Sequence, residues 1–263
     1  MKMKYLLVLF QLICFKITYS QSKTYDFSCM ERTENMKTIN YLSEIEQSTL
    51  RSIGQKVEID EEIKYGRKIY LEYLKKGIIV NNYVNSYKIN EIKNKLVSNI
   101  LNPRGFEYNI YIINTKEINA FTCGGNIFLT NSIVLFCKNE QEIAAIICHE
   151  IAHNELNHLN DEISRKKTLE ILGDYKEITN QLASLITTSF NQKNEMHCDF
   201  WGIDLLVKSG YYPCSTVDFW NRVINSDNHN KNQNIFFSSH PYSETRKSCC
   251  RNYLFKNYNL KCN

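Results

Sequence analysis

Beyond residue 20 the sequence has no run of the eighteen or so uninterrupted apolar residues that a membrane-spanning helix needs. The chain therefore carries no membrane span after its leader. It also has little excess charge once that leader is set aside. Residues 1–20 contain Lys2, Lys4 and Lys16 and no acid, so their loss lowers the formal charge from +4 to +1. A near-neutral chain gives no support for nucleic-acid or membrane-surface binding. No cysteine spacing makes a C-x-x-C ribbon or redox motif. There is no internal repeat and no long linker, which predicts one compact domain.

The leader itself reads as a secretory signal. Lys2 and Lys4 precede an apolar run, Tyr5 to Phe15, too short to cross a bilayer. Thr18 and Ser20 are small residues placed for cleavage before Gln21. The alternative is an uncleaved anchor. Cys14 lacks a small residue before it and is no lipid-attachment site. A secreted or periplasmic location follows. There, most of the nine remaining cysteines (Cys29, Cys123, Cys137, Cys148, Cys198, Cys214, Cys249, Cys250 and Cys262) should pair. Nine is odd, so at least one is free or pairs between chains.

Residues 37–53, 56–76 and 82–100 have helical periodicity. The pattern then becomes β-like at 108–113 and 126–130, with Asn119 to Gly125 between. The paired glycines Gly124 and Gly125 predict a bulge or a close backbone approach. Residues 161–190 are amphipathic without a clear end. Helices are predicted at 194–209, 215–224 and 243–253, with a polar loop from Ser226 to Gln233.

The chemistry concentrates in Lys138 to His158. His149-Glu150-Ile151-Ala152-His153 is an H-E-x-x-H pattern, with two histidines one helical turn apart on one face. Asn139 and Glu142 form a predicted cap and capping-box pair. Ile143, Ile147 and Ile151, with the alanines between them, bury the helix. Buried His, Glu and His need partners, and one Zn²⁺ per chain provides them. Glu150 projects about 100° round the helix from His149, where it misses the metal yet reaches a metal-bound water. A catalytic site needs a third protein ligand. The extended pattern would place a histidine where Leu159 stands, so that option fails. His158 points about 140° from His153 on the same helix and is expected to face solvent. The other option is a carboxylate. Glu195 and Asp199 share a helix face, so one can bind zinc while the other orients a ligand histidine.

These blocks in order resemble peptidase family M48, the gluzincin metalloendopeptidases. The resemblance covers Glu62-x-x-x-Gly66, Asn119-Ala120-Phe121 with Gly124-Gly125, the zinc helix, Glu195-x-x-x-Asp199-x-x-Gly202, and Ser239-His240-Pro241 with Arg246. It implies an α+β fold: a mostly helical zincin-like domain with a small sheet beside the H-E-x-x-H helix. The expected domains are the signal peptide (1–20), a helical extension (21–55) and the metallopeptidase domain (56–263). It implies His149, His153 and Glu195 as ligands and Glu150 as general base, with Asp199 behind the ligands. His240 and Arg246 would lie at the rim. His240 would bind the metal in a latent form or stabilise the oxyanion, unless it is merely a packed histidine; the alternative for Arg246 is a surface or ion-pair residue. Asn119, Ala120, Phe121, Gly124 and Gly125 would receive an extended substrate strand. Misfolded or unfolded envelope proteins are the expected substrates and partners. The alternative function is a protease-fold chaperone or scaffold with a latent or vestigial site. Two residues depart from the family pattern: cysteine, not a small residue, precedes both His149 and Asp199. A disulfide or packed thiols is the expected role of Cys198.

Overall fold

The computed structural model describes residues 24–30, 57–84, 86–160, 163, 192–227, 240 and 243–263. Its elements are α1 (Ile59–Lys75), α2 (Ser86–Val97), β1 (Asn109–Ile113), β2 (Ala120–Cys123), β3 (Asn126–Thr130), α3 (Asn131–Phe136), α4 (Glu140–Glu155), α5 (Gln192–Lys208), α6 (Ser215–Asp227) and α7 (Ser243–Tyr258). This is the expected mostly helical α+β architecture. The expected helix at 37–53, the leader, and all but one residue of 161–190 lie outside the described residues. Helix α6 extends three residues past its predicted end at 224, into the start of the expected polar loop.

The sheet has strand order β1-β3-β2, with β1 parallel and β2 antiparallel to β3. Strand alternation sorts its side chains between two layers. Ile112, Ala120, Ile127 and Leu129 join a core with Ile147 and Ile151 of α4 and Ile92 and Leu96 of α2. Phe121, Cys123 and Phe128 face the other way, against Ile69 of α1. Phe121 stacks on Phe128 with centroids 4.9 Å apart. The outer edge of β1 is covered by residues 78–80, through Val80 N–H to Ile112 O and Asn114 N–H to Ile78 O, both 2.8 Å. Among the described residues, that leaves β2 as the open edge.

Helix α5 lies against α4, with Gly202 facing Cys148 and His149. A Cβ there would meet the Cys148 Cβ at 3.4 Å and the His149 nitrogen at 3.5 Å. Cys148 thus takes a packing role at the α4–α5 contact. A third cluster joins Met30 and the start of the described chain to Met196, Phe200 and Ile203 of α5 and to Leu254 of α7. Disulfides Cys29–Cys249 and Cys214–Cys262 close this region. Fewer cysteines pair than expected: Cys137, Cys148, Cys198 and Cys250 are free thiols, and three of these four are buried. The expected disulfide at Cys198 is therefore not formed, and its packed-thiol alternative stands. Among the described residues no helix is long and apolar enough to cross a membrane.

Candidate metal centre

Helix α4 begins where Asn139 Oδ1 accepts the backbone N–H groups of Gln141 and Glu142, at 3.0 and 3.1 Å. Glu142 accepts the Lys138 N–H at 2.9 Å, satisfying a further donor at the same end. Every residue from Ala144 to Asn154 is buried. Polar groups on such a helix must find partners inside the protein.

His149 and His153 turn their Nε2 atoms toward each other, 3.1 Å apart. Glu195 reaches both from α5: Oε2 lies 3.3 Å from His149 Nε2 and Oε1 3.3 Å from His153 Nε2. Bonds of about 2.0–2.1 Å at the tetrahedral angle put ligand atoms about 3.3 Å apart. The three separations match that spacing. Glu195 Oε1 is buried without a hydrogen bond, although the carboxylate is fully enclosed. Two imidazoles and a carboxylate, one oxygen unsatisfied, fit a divalent metal ion.

The surroundings favour a charged Glu195. Burial opposes its ionisation, but Arg246 and His240 outweigh that and hold its pKa well below the usual carboxylate range. Arg246 donates from Nη1 to Glu195 Oε2 at 2.5 Å, and from Nε and Nη2 to the two oxygens of Asp199 at 2.7 Å each. Asp199 in turn faces His149 Nδ1 at 3.0 Å. An Nδ1–H donated to that carboxylate leaves the Nε2 lone pair aimed at the cluster. Burial disfavours a charged His149, yet Asp199 and Glu195 raise its pKa to about 9 in the metal-free protein. Burial dominates at His153, lowering its pKa to about 4.

Glu150 is buried beside the cluster, and burial raises its pKa. Its Oε1 makes no hydrogen bond and lies 3.8 Å from His240 Nε2. His240 is buried too. Its Nδ1 sits 3.0 Å from Glu195 Oε2 and its Nε2 sits 3.2 Å from the Ala120 carbonyl oxygen. His240 thus touches both the cluster and the open strand edge, and its ring falls within the same metal-binding group.

A family model for peptidase family M48 matches residues 85–252. The chain belongs to peptidase family M48. It is 29% identical over 223 residues to a beta-barrel assembly-enhancing protease of Yersinia pestis, covering 76% of this chain and 45% of the relative. The Escherichia coli K12 protein of the same name is 27% identical over 221 residues, with the same coverage. Mitochondrial metalloendopeptidase OMA1 of Saccharomyces cerevisiae is 25% identical over 176 residues, covering 61% of this chain and 49% of the relative. The chain thus spans just under half the length of these relatives.

The M48 match takes in every donor of the cluster, but the strand residues named beside it divide. Asn119 N–H and C=O both face Thr130. By strand alternation Ala120 and Thr122 then present their main chain to the open edge. The Phe121 side chain is in the core. Gly124 and Gly125 do not lie on the open edge. They form the buried β2–β3 turn, at φ of 55° and 83°. Gly125 donates to Asn154 Oδ1 and accepts from the Asn109 N–H. A Cβ on Gly124 would lie 2.2 Å from Glu62 O of α1. The glycines are there for that close approach, and their backbone is not available to a substrate.

Two other readings are corrected. Arg246 is wholly buried, so it is not a surface residue. His158 is only 3% exposed and does not face solvent. The extrapolation failed because α4 ends at Glu155 and Asn157 adopts φ +68°, which turns the chain back. His158 Nδ1 thereby comes within 3.3 Å of His153 Nδ1. Sequence reasoning also missed Asn154. Its amide donates to Thr122 Oγ1 at 2.6 Å while its oxygen holds Gly125, tying β2 and its turn to the metal helix. Its place next to His153 was the available signal.

Proposed function

We propose that this chain is a zinc-dependent metalloendopeptidase whose catalytic Zn²⁺ has His149, His153 and Glu195 as ligands. The observation that carries the reading is the convergence of two imidazoles and a half-satisfied buried carboxylate beside Glu150, in a member of an M48 family whose compared relatives are proteases. Zinc supplies Lewis acidity, making water acidic near neutral pH and polarising a peptide carbonyl. Glu150 takes the proton from the attacking water and delivers it to the leaving amine. Its burial and raised pKa suit a group that must both accept and return a proton. Asp199 fixes the His149 ring, and Arg246 holds Asp199 and Glu195 in place. The Ala120 edge of β2 receives the substrate as an added strand through main-chain hydrogen bonds. Such binding reads extension more than side chains, so unfolded or misfolded secreted and envelope proteins are the substrate class. The domain runs from residue 56 to 263 and acts outside the cytoplasm after removal of residues 1–20.

A latent variant of this reading rests on one further observation. His240 occupies the Ala120 carbonyl and lies beside Glu195, where substrate and metal would otherwise be met. In this form His240 must move before a strand can dock. The test uses residues 21–263 made under oxidising conditions. Zinc per chain and cleavage of an unfolded protein are measured for the parent, Glu150→Gln and His240→Ala. Zinc held by His149, His153 and Glu195 is expected in all three proteins. Cleavage should fall by roughly 10²–10⁴ in Glu150→Gln. Faster cleavage by His240→Ala supports latency, and slower cleavage assigns His240 to oxyanion stabilisation. No zinc, together with equal cleavage by the parent and Glu150→Gln, would sink the proposal.

A further inference from the structure

A second group of donors stands behind the first, and the hydrolysis proposed above leaves it without a task. His153 directs Nε2 at His149 and Glu195. Its other ring nitrogen, Nδ1, lies 3.3 Å from His158 Nδ1. The same His158 nitrogen lies 3.3 Å from Cys198 Sγ. Ligand atoms of the three side chains all fall within 4.8 Å of one another, and all three residues are buried.

A neutral imidazole offers one in-plane lone pair. With Nε2 of His153 directed at a metal, its Nδ1 carries the proton, and Cys198 carries another on sulfur. One ion in place of the two protons would take all three side chains as ligands. Zinc bonds of about 2.0–2.1 Å to nitrogen and about 2.3 Å to sulfur place such atoms roughly 3.3–3.6 Å apart. The two contacts at 3.3 Å suit that spacing. Two imidazoles and a thiolate are a donor set for zinc, with no carboxylate to favour magnesium or calcium.

We propose that His153, His158 and Cys198 form a second zinc site, joined to the first through the two nitrogens of the His153 ring. Uptake of Zn²⁺ releases two protons to solvent, one from the Cys198 thiol and one from His153 Nδ1. Two positive charges enter and two leave, so the buried group keeps its net charge and no unpaired charge is created. Occupation turns the shared ring into an imidazolate. That is a stronger donor to the first ion, so the second site tunes the Lewis acidity of the first.

The site goes beyond the peptidase reading but shares His153 with it, so the test separates the two. Metal-free protein is titrated with Co²⁺. The parent is expected to bind two ions per chain, with a thiolate-to-cobalt charge-transfer band in the near ultraviolet. Cys198→Ala and Cys198→Ser are expected to bind one ion and lack the band. The double variant His149→Ala/Glu195→Gln dismantles the first cluster and is expected to keep the band. Failure of the first site alone therefore leaves the second visible. A parent that binds one ion without a thiolate band overturns the proposal, whatever the variants do. So does a band that persists in both Cys198 variants, since it would come from another thiol.

Discussion

Removing the Arg246 guanidinium should be among the most damaging single changes in this chain. The group is fully buried, donates three charge-assisted hydrogen bonds to Asp199 and Glu195, and lies 4.1 Å from the centroid of the Trp220 ring. Arg246→Ala removes the guanidinium that donates to both buried carboxylates and leaves them only the imidazole contacts of their neighbours. Breaking a buried ion pair by removing one partner costs about 3–5 kcal/mol. Losing the contact with Trp220 adds roughly 0.5–2 kcal/mol. Together these are a large fraction of the 5–15 kcal/mol that holds a typical domain. Arg246→Lys keeps the charge but loses the paired geometry to Asp199, and is expected to cost about 1.5–3 kcal/mol. The assay is urea unfolding with chelator present, so that metal binding does not enter. A cycle with Asp199→Asn isolates the pair, and a coupling on the order of 1–3 kcal/mol is expected. A loss below about 1 kcal/mol for Arg246→Ala, or strict additivity in the cycle, would refute the claim that Arg246 neutralises these acids.

Metal affinity should rise with pH. Asp199 and Glu195 overcome the opposing effect of burial and raise the metal-free His149 pKa to about 9, so near neutral pH an incoming ion displaces a proton. Calorimetry in buffers of different ionisation enthalpy should show about one proton released from His149 per ion, and pH-independent affinity between about pH 6 and 8 would contradict it. The same shift stabilises the metal-free fold fully below the ordinary histidine value of 6.5, and that contribution is lost as pH rises through about 9. Asn154→Leu strands the buried Gly125 N–H at an expected cost of about 1–3 kcal/mol. It also frees β2 from α4, so KM should rise while zinc content holds; an unchanged KM counts against a positioning role. Gly124→Ala puts a methyl 2.2 Å from Glu62 O at positive φ. It should lower thermal stability by about 2–4 kcal/mol, and a neutral effect would show that α1 can back away from the turn.

Local pattern was enough for much of the architecture. The 3.6-residue period and its switch to alternation placed α1, α2, β1, β3, α4 and α5 within a few residues. Alternation alone does not show strand β2, whose four residues are followed at once by two glycines; the strand edge expected at Asn119 to Gly125 rested on the paired glycines and the family resemblance. Helix α3 was hidden because it is a six-residue turn capped by Thr130, which accepts the Ile133 N–H. The His149–His153 pair was legible because a helix fixes the relation of residues four apart. Glu195 was nameable from its helix face shared with Asp199, but its meeting with the histidines depends on how α5 docks on α4.

What the sequence determined by itself was therefore whatever one element's geometry controls: the metal-facing side of α4, the carboxylate face of α5, and the need of Gly124 for close approach. The tertiary structure alone decided which distant groups meet. It folded the chain back at Asn157 and buried His158 against His153. It enclosed Arg246 between Asp199 and Glu195, and set His240 on the Ala120 carbonyl. The reason is physical. Helical periodicity determines direction around an axis, while contacts between elements depend on packing, which at α4–α5 sets Gly202 against Cys148.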